Sequence, residues 1–338
     1  MNISSLIQSA DKMLSVLKQK SIVIVANVQS KSHNYKFNVV DANPIEKFTD
    51  KEFKEIIDAL DLLNLNYQVY FCELDFINHI LNSKTNLNNI VVLNFARNGI
   101  KEGKKSLIPA FCDLLGIRYT SSNAATQSLC RNKFVYNKYL KQLGVKVPDT
   151  YVLYPTRKWF NNIPPKWTDE KVIVKPIAES GSIGISSEIS KFKDIDISKI
   201  LFINNQSMLF QEFIEGIEIE CAFFIHNDDL IILPPIQLNT NNYILDEKSS
   251  MFNNYSFKMY KGPAVNIIFT LVKTIVQALG ITNYGRIDFR INDKNEVFLF
   301  DVATMPYICN HSSVVFAMEC QGYSKSDIYK IILTDKLT

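Results

Sequence analysis

The sequence predicts an α/β (α+β) fold of three subdomains, the first of them built around a parallel sheet. The length of 338 residues is too great for one ordinary core. Strand-like and helix-like segments alternate through residues 21–120, and a strong hairpin pattern lies at residues 286–302. The expected subdomains cover residues 1–122, 123–216 and 217–338.

The first subdomain alternates between strands and helices. Residues 1–20 carry apolar side chains at helical spacing with polar ones between them, which indicates an amphipathic helix and not a signal peptide. Residues 21–28 are continuously apolar, as in a strand buried on both faces. Thr49 and Glu52 form a capping box that opens a helix over residues 49–63. Further strands at 67–71 and 90–95, and a helix at 106–115 ending at Gly116, complete a β-α-β order that implies a parallel sheet.

Residues 29–48 form a long polar stretch, which is either a binding loop or a disordered connection. The second subdomain is predicted to hold helices at 124–130 and 133–143 and strands at 172–175 and 209–214. Between these strands, residues 179–184 (ESGSIG) form a loop of small residues whose backbone N–H groups could approach phosphate oxygens. The loop matches neither a P-loop nor a dinucleotide fingerprint. Taken alone, it fits an ordinary surface turn better than a phosphate site.

The predicted hairpin places two carboxylates side by side. With a turn at residues 292–295, Asp288 lies opposite Asp301 and Arg286 lies opposite Ala303. The opposite face is expected to be apolar and to carry Ile287, Phe289, Phe300 and Val302. Neighbouring carboxylates are tolerated where a cation lies between them, and oxygen ligands suit Mg²⁺. A solvated strand face is the alternative.

Composition excludes several classes of protein. Hydrophobic residues make up 47% and charged residues 21%, as in a globular chain, and the net charge of +3 gives no reason to expect a nucleic-acid or membrane partner. No apolar run reaches the roughly 20 residues that span a bilayer. The cysteines show no metal-ligand spacing and are expected to be buried free thiols of a cytoplasmic protein: Cys72, Cys112, Cys130, Cys221, Cys309 and Cys320.

Six short motifs, in order, resemble those of one known family. They are residues 116–122 (GIRYTSS), 132–133 (NK), 172–176 (VIVKP) with the loop after it, 211–218 (QEFIEGIE), 285–290 (GRIDFR) and 311–313 (HSS). From about residue 90 to the C-terminus the chain resembles the D-alanine–D-alanine ligase family of the ATP-grasp superfamily. The resemblance implies a three-subdomain ATP-grasp fold and a cytoplasmic enzyme that joins a carboxylate to an amine with ATP and Mg²⁺.

The resemblance also implies roles for individual residues. Lys133 and Lys175 would hold the phosphates of ATP, and Lys248, in a loop that aligns less closely, would reach the γ-phosphate. Arg286 would stabilise the tetrahedral intermediate, and Ser312 would contact the carboxylate of the second amino acid. The remaining nucleotide contacts would come from Glu179, Ser182, Ile183, Gly184, Gln211, Glu212, Ile214 and Glu218, and the metal ligands would be Asp288 and Asp301.

The implied reaction has two steps. A carboxylate attacks the γ-phosphate to give an acyl phosphate and ADP, and an amine then displaces phosphate. The protein would contribute mainly positioning and neutralisation of charge. Its expected partners are small carboxylate and amine substrates, free or bound to a carrier, and a homodimer is one assembly open to it.

Several positions depart from the family pattern. Asp301 replaces a metal-bridging Glu, Ala303 replaces an Asn that binds a second metal, and Tyr307 replaces a Gly at an oxyanion site. One firmly held Mg²⁺ is therefore expected. At the N-terminal side, residues 27–31 replace a Gly-rich motif with its downstream Glu, and Ala96 replaces a His, so the first-substrate site is rebuilt or lost.

Three interpretations follow from this mixture. The chain is a ligase for substrates other than two D-alanines, a D-alanine–D-alanine ligase with altered motifs, or a nucleotide-binding pseudoenzyme or partner subunit. Lys133, Lys175, Arg286, Asp288 and Ser312 favour activity. Ala303 and Tyr307 favour the pseudoenzyme.

Overall fold

Three β-sheets organise the chain in the computed structural model, which describes residues 2–31, 39–155, 168–186, 188–200, 202–240, 245 and 252–337. The strands of these sheets fall within the three predicted subdomains, while the boundaries at 122 and 216 stay predictions. The strands are β1 Ser21–Ala26, β2 Tyr67–Tyr70, β3 Ile90–Phe95, β4 Arg118–Tyr119, β5 Thr150–Leu153, β6 Lys171–Pro176, β7 Ser190–Lys191, β8 Met208–Glu212, β9 Ile217–His226, β10 Asp229–Ile232, β11 Ile236–Thr240, β12 Tyr255–Met259, β13 Tyr284–Ile291 and β14 Val297–Ala303.

Two of the helices are capped as the sequence predicts. Thr49 and Glu52 form the expected capping box on the second helix, and Gly116 ends the fourth in the left-handed conformation with φ of 66°. In the described residues the helices are α1 Ile3–Leu17, α2 Asp50–Leu62, α3 Glu73–Asn82, α4 Leu107–Leu115, α5 Ala124–Arg131, α6 Lys133–Gln142, α7 Val265–Leu279, α8 Ser313–Glu319 and α9 Lys325–Thr334.

The first sheet is parallel, which confirms the prediction from the β-α-β order. Its strands lie in the order β2-β1-β3-β4. The buried face of β1, with Ile22 and Ile24, packs in one continuous core with residues of β9 and of α8 and α9. The carboxyl ends of β1 and β3 are therefore held close to the C-terminal part of the chain, where functional side chains of parallel sheets usually gather.

The other two sheets are antiparallel. Strands β5, β8, β6 and β7 form one, in that order. The larger sheet has the order β12-β11-β9-β13-β14, with β10 paired to β9. Its apolar face, which includes Ile219, Ile287 and Leu299, packs against α7. The opposite face is left for polar side chains.

One detail of the predicted hairpin is wrong. Asp288 lies opposite Asp301 and Arg286 opposite Ala303, as expected. A β-bulge follows, because Phe289 pairs with Leu299 and one residue of β14 is left over. That residue is Phe300, which therefore lines the polar cavity instead of joining the apolar face. Simple alternation could not predict this shift.

Two further observations bear on the class of protein. No helix in the described part of the chain is long and apolar enough to cross a membrane. All six cysteines are free, as predicted, and five are buried while Cys320 is exposed.

Candidate active site

A cavity of about 820 Å³ lies where the three sheets meet. Its walls come from the segment after β1, the ends of β3 and β6, the loop after β6, and the polar face of the largest sheet. The size is that of a site for a nucleotide and a small partner. Two of its walls differ in their chemistry. What we call the phosphate wall contains Lys133, Lys175, Arg286, Asp288 and Asp301, and what we call the acid wall contains Arg97, Lys105 and Tyr307.

Lys133 stands at the start of α6, where it reaches across to the large sheet. Its Nζ lies 3.2 Å from Asp301 Oδ1 and donates to the carbonyl of Glu179 at 3.0 Å. The Tyr136 hydroxyl, one turn along the helix, donates to Asp301 Oδ1 at 2.9 Å. The backbone N–H of Val302 donates to the same oxygen at 2.9 Å, so Asp301 has three protein partners. Burial raises the pKa of Asp301, but the charges of Lys133 and Lys175 lower it by more. The carboxylate is therefore ionised.

The side chain of Lys175, on β6, lines the same cavity as Lys133 and Asp301. Its side chain is buried, and its Nζ lies 4.6 Å from the centre of the Phe300 ring. No carboxylate of the described residues lies within 4 Å of this ammonium. Burial, and then the charge of Lys133, lower the pKa of Lys175 to about 7. A buried amine with this environment is suited to an incoming anion, which would restore its full charge.

The loop of small residues follows β6 directly. Gly181, Ser182 and Gly184 adopt left-handed backbone conformations, with φ of 65°, 61° and 67°. At Gly184 a Cβ would approach Ile203 Cδ1 to 2.3 Å and Pro176 Cγ to 2.9 Å, so the position requires glycine. The tight turn brings the backbone of residues 180–183 onto the cavity wall.

A buried ion cluster ties this loop to the N-terminal part of the chain. Lys104 forms ion pairs with Glu46 and with Glu179, the latter at 3.2 Å, and the Ser180 hydroxyl donates to Glu46. Arg131 approaches Glu46 and Glu179 at 3.9 and 3.8 Å. Burial raises the pKa of Glu46, but the charges of Lys105, Lys104 and Arg131 outweigh this and lower it to about 2. The cluster holds the loop over the cavity.

Arg286 is surrounded by carboxylates on the large sheet. It donates to both oxygens of Asp288, at 2.7 and 2.8 Å, and lies 3.1 Å from Glu220 Oε1. Burial raises the pKa of Asp288, and the Glu220 charge adds to this, against the opposing effect of Arg286. One guanidinium thus faces two buried carboxylates, and the excess negative charge fits a bound cation.

Asp288 and Asp301 are adjacent across the strand pair and both line the cavity, so they could hold Mg²⁺. No cluster of three or more His, Cys, Asp or Glu side chains with metal-site geometry occurs in the described part of the chain. An ion here would therefore need ligands from a nucleotide or from water, as Mg²⁺ commonly has.

The acid wall is built around Arg97, at the end of β3. Its guanidinium lies between two rings, 4.3 Å from the centre of Tyr307 and 5.2 Å from that of Phe48. Its backbone N–H donates to Asn27 Oδ1 at 2.6 Å. The Tyr307 hydroxyl donates to the carbonyl of Ile45 at 2.9 Å. Tyr307 thus forms part of the surface on which Arg97 rests.

A third set of polar groups lies near the start of α8. Ser312 caps this helix and accepts from the backbone of Val315 at 3.3 Å. His311 Nε2 lies 3.1 Å from Glu52 Oε1, and Glu55 pairs with Lys325 at 2.6 Å. All but two of these groups, Lys325 and Val315, line the cavity.

The structure brings most of the predicted site residues together. Those that line the cavity are Lys133, Lys175, Glu179, Ser182, Ile183, Glu218, Arg286, Asp288, Asp301 and Ser312. Those that do not are Gly184, Gln211, Glu212 and Ile214. Gln211 is fully buried, and its amide atoms have no partner among the described residues. Lys248 lies outside the described residues. The roles assigned to all of these residues stay predictions.

Sequence reasoning missed Glu220, Glu46, Arg97 and the Lys104–Lys105 pair. Glu220 could have been predicted from the sequence, because it is two residues from Glu218 and therefore shares a strand face with it. The others come from loops, whose path gives no periodic signal. A pair of lysines directly before a helix is ordinarily read as a solvated surface.

Comparison with known proteins agrees with this geometry. A family model described as D-ala D-ala ligase C-terminus matches residues 140–334. The D-alanine–D-alanine ligase of Phocaeicola vulgatus is 25% identical over 246 residues, covering 69% of this chain and 73% of the relative. That of Carboxydothermus hydrogenoformans is 27% identical over 252 residues, covering 69% and 77%.

Solved structures give the same result for the fold. The D-alanine–D-alanine ligase of Bacillus anthracis, in complex with ATP, superposes with a TM-score of 0.71 at 18% identity, covering 94% of this chain and 97% of that one. VanG D-Ala:D-Ser ligase of Enterococcus faecalis has a TM-score of 0.63 at 18% identity, covering 94% and 99%.

The fold is therefore the ATP-grasp fold, and the enzyme class is that of ATP-dependent C–N ligases. Because the family model spans more than half of the sequence, the chain belongs to the D-alanine–D-alanine ligase family. The prediction from the six motifs is confirmed.

Proposed function

We propose that this enzyme activates a carboxylic acid other than D-alanine as an acyl phosphate and transfers it to an amine. The observation that supports this proposal is the composition of one cavity. Lys133, Lys175, Arg286, Asp288 and Asp301 all line it. The groups needed for phosphate transfer and for the tetrahedral intermediate therefore share a site.

In the first step an oxygen of the acid attacks the γ-phosphorus, and the bond from that phosphorus to the β–γ bridging oxygen breaks, releasing ADP. Lys133 and Lys175 neutralise phosphate charge in a buried setting, where each contact is strong. Asp288 and Asp301 would hold Mg²⁺, which when bound offsets the charge of the phosphates. The loop at residues 179–184 covers the site and excludes water.

In the second step the amine attacks the acyl carbon. An oxyanion forms, the bond from carbon to the phosphate oxygen breaks, and the nitrogen loses a proton. Arg286 supplies a fixed positive charge for this oxyanion, because Asp288 and Glu220 hold its guanidinium in one orientation. Ser312 lines the same cavity and is the candidate contact for the amine substrate.

The acid wall supports an acid other than D-alanine. At this wall the family's His is Ala96, and the side chain of Asn27 supports the backbone of Arg97 instead of facing a ligand. An ammonium group would meet the positive charges of Arg97 and Lys105 there. Like charges in a buried site disfavour binding.

Ligation of two D-alanines is the second candidate. The relatives from Phocaeicola vulgatus and Carboxydothermus hydrogenoformans are named D-alanine–D-alanine ligases, which favours this substrate pair by descent. Glu52 and Glu55 also line the cavity and offer carboxylates to an ammonium. Both already have partners in His311 and Lys325.

An ADP-release screen over amino acids, dipeptides, simple carboxylic acids and carrier-bound acids, with mass detection of the product, tests the proposal. We expect an amide product from a pair other than two D-alanines, lost in Arg286→Ala. The matched control is Lys54→Gln, an exposed change on α2. Efficient D-alanyl-D-alanine formation that is lost in Glu52→Gln would instead establish the second candidate.

A further inference from the structure

Arg97 is a buried cation without an anion. Its side chain is 2% exposed, and its Nε has no hydrogen-bond partner. One terminal nitrogen donates to the carbonyl of Met305 at a long 3.5 Å. Within the described ranges no carboxylate oxygen comes within 4 Å of the guanidinium. A guanidinium has five N–H donors, and leaving them unpaired in a buried site is costly.

Lys105 lies beside Arg97 on the same wall and is similarly placed. It is 9% exposed, and the contact of its Nζ is to the Ser180 hydroxyl at 3.5 Å. Burial, and then the charge of Arg97, lower the pKa of Lys105 well below its usual value. Glu46 acts on it from beyond ion-pair distance and is itself bound to Lys104.

The charges around this point do not balance. Four buried basic side chains meet here, Arg97, Lys104, Lys105 and Arg131, but the carboxylates among them are Glu46 and Glu179. Both carboxylates are engaged by Lys104 and Arg131. The two basic groups left over, Arg97 and Lys105, are the two that line the cavity, where a bound anion would favour the charged form of Lys105.

The site is also rigid. The rings of Phe48 and Tyr307 lie at 80° to each other with centres 5.2 Å apart and hold the guanidinium between them. On the backbone side, Glu73 accepts from the main chain and the amide of Asn98 at 3.0 and 2.8 Å. A cation fixed in this way before binding loses little entropy when an anion arrives.

We propose, resting on the ligase function above, that Arg97 and Lys105 form a subsite for a second anionic group on the activated acid. The acid is a dicarboxylate or a phosphate-bearing acid: one carboxylate is phosphorylated by ATP, and the other anion pairs with Arg97 and Lys105. Bidentate pairing suits a planar guanidinium facing either group.

The alternative is that Arg97 serves packing alone, held by its two rings. Packing explains the stacking of Arg97 on its two rings, but it does not explain why Lys105 lies on the same wall. A purely structural Arg97 would leave the charge of bound ligands without effect on affinity. Binding measurements therefore separate the two accounts.

The test is calorimetry with a non-hydrolysable ATP analogue present, using succinate, glutarate, phosphonoacetate, butyrate and D-alanine as probes. We expect a doubly anionic probe to bind at least about tenfold more tightly than butyrate, as one charge-assisted contact provides. The dicarboxylates and phosphonoacetate distinguish a carboxylate from a phosphate group. The preference should fall about tenfold or more in Lys105→Gln and in Arg97→Gln, and persist in Arg97→Lys and in the surface control Lys54→Gln.

Equal binding of butyrate and all the dianions, or a preference for dianions that survives Lys105→Gln, would overturn the subsite. Because Lys105 forms no ion pair in the described structure, that variant is expected to fold even if Arg97→Gln does not. Binding is measured without turnover, so the two proposals fail separately. Dianion binding with no ADP release from any acid would remove the ligase proposal and leave the subsite.

Discussion

The phosphate wall and the acid wall of the cavity differ in how their charges are arranged. On the phosphate wall, Lys133 pairs with Asp301 and Arg286 pairs with Asp288, so each of these cations has a carboxylate partner. On the acid wall, Arg97 and Lys105 face the cavity without carboxylates. The first arrangement matches the family's motifs, and the second does not.

This difference is the one we expect if an ATP-grasp scaffold keeps its chemistry and takes a different acid, as we propose. The phosphate wall uses strand residues whose positions are fixed by sheet pairing, as in Arg286, Asp288 and Asp301. The acid wall uses loop residues after β3 and β14, where side chains can change without disturbing a ladder. We therefore expect chemistry to be retained while the acid changes. The predictions below test that division.

The largest effect is expected where the two walls are joined. Lys104→Met should lower the free energy of unfolding by about 3–5 kcal/mol, because Glu46 and Glu179 would remain buried without their main cation. Urea unfolding measures this. Lys54→Met, on the exposed face of α2, should change stability by less than about 0.5 kcal/mol. A loss below about 1 kcal/mol in Lys104→Met would mean that the cluster does not hold the walls together.

The chemical step should depend on Arg286. Arg286→Ala is expected to lower kcat for ADP and phosphate release by about 10²–10³-fold, since a preorganised charge at an oxyanion is lost. Arg286→Lys, which keeps a cation near Asp288 and Glu220, should retain more activity. Thermal unfolding of both variants separates lost catalysis from lost folding. A kcat within tenfold of the parent enzyme would place the oxyanion charge elsewhere.

Lys175 should affect the nucleotide and leave acid binding unchanged. Lys175→Ala removes a buried contact to phosphate and should weaken ATP binding about 10–100-fold, equivalent to about 1.5–3 kcal/mol. Calorimetry measures this directly. Lys171→Ala changes an exposed lysine on the same strand and is the matched control. Unchanged ATP affinity in Lys175→Ala would contradict its assignment to the phosphate wall.

The pH dependence of ATP binding is a smaller effect of the same residue. Because burial and Lys133 lower the pKa of Lys175 to about 7, the ammonium is largely charged about one unit below that pH and loses its charge as the pH rises through it. Bound phosphates favour the charged form, so ATP affinity should be highest on the acid side of this pKa and fall by up to about tenfold per unit above it.

Titrations from about pH 6 to about pH 9 test this, with Lys175→Arg as the control because arginine stays charged throughout. The fall above neutrality should be weaker in Lys175→Arg than in the parent protein. The same steep fall in both proteins would assign it to the nucleotide or to another group.

The sequence predicted the phosphate wall better than the acid wall. Strand alternation gave the pairing of Asp288 with Asp301, and the family motifs gave Lys133 and Lys175. The bulge at Phe300 escaped prediction, because an extra residue on one strand leaves no mark in the pattern of apolar residues. For the acid wall, sequence showed only that the family's His had become Ala96.

The replacements at the acid wall depend on contacts between distant residues. Arg97 packs against Tyr307, and the Tyr307 hydroxyl donates a hydrogen bond to Ile45. In each pair the two residues lie more than 200 residues apart along the chain. Such contacts follow from tertiary packing and not from local pattern. Tyr307, which the sequence analysis takes as favouring a pseudoenzyme, has a physical role here, because its ring packs against Arg97.

We expect the phosphate wall to keep the family's chemistry and the acid wall to accept a different acid. Hydroxylamine, used in place of the unknown amine, traps the acyl phosphate as a hydroxamate and so reports the acid alone. With ATP and Mg²⁺, we predict that a dicarboxylate or a phosphonate-bearing acid gives hydroxamate with a kcat/KM at least about tenfold above that of D-alanine, as one charge-assisted contact provides. Hydroxamate formed fastest from D-alanine would contradict the account.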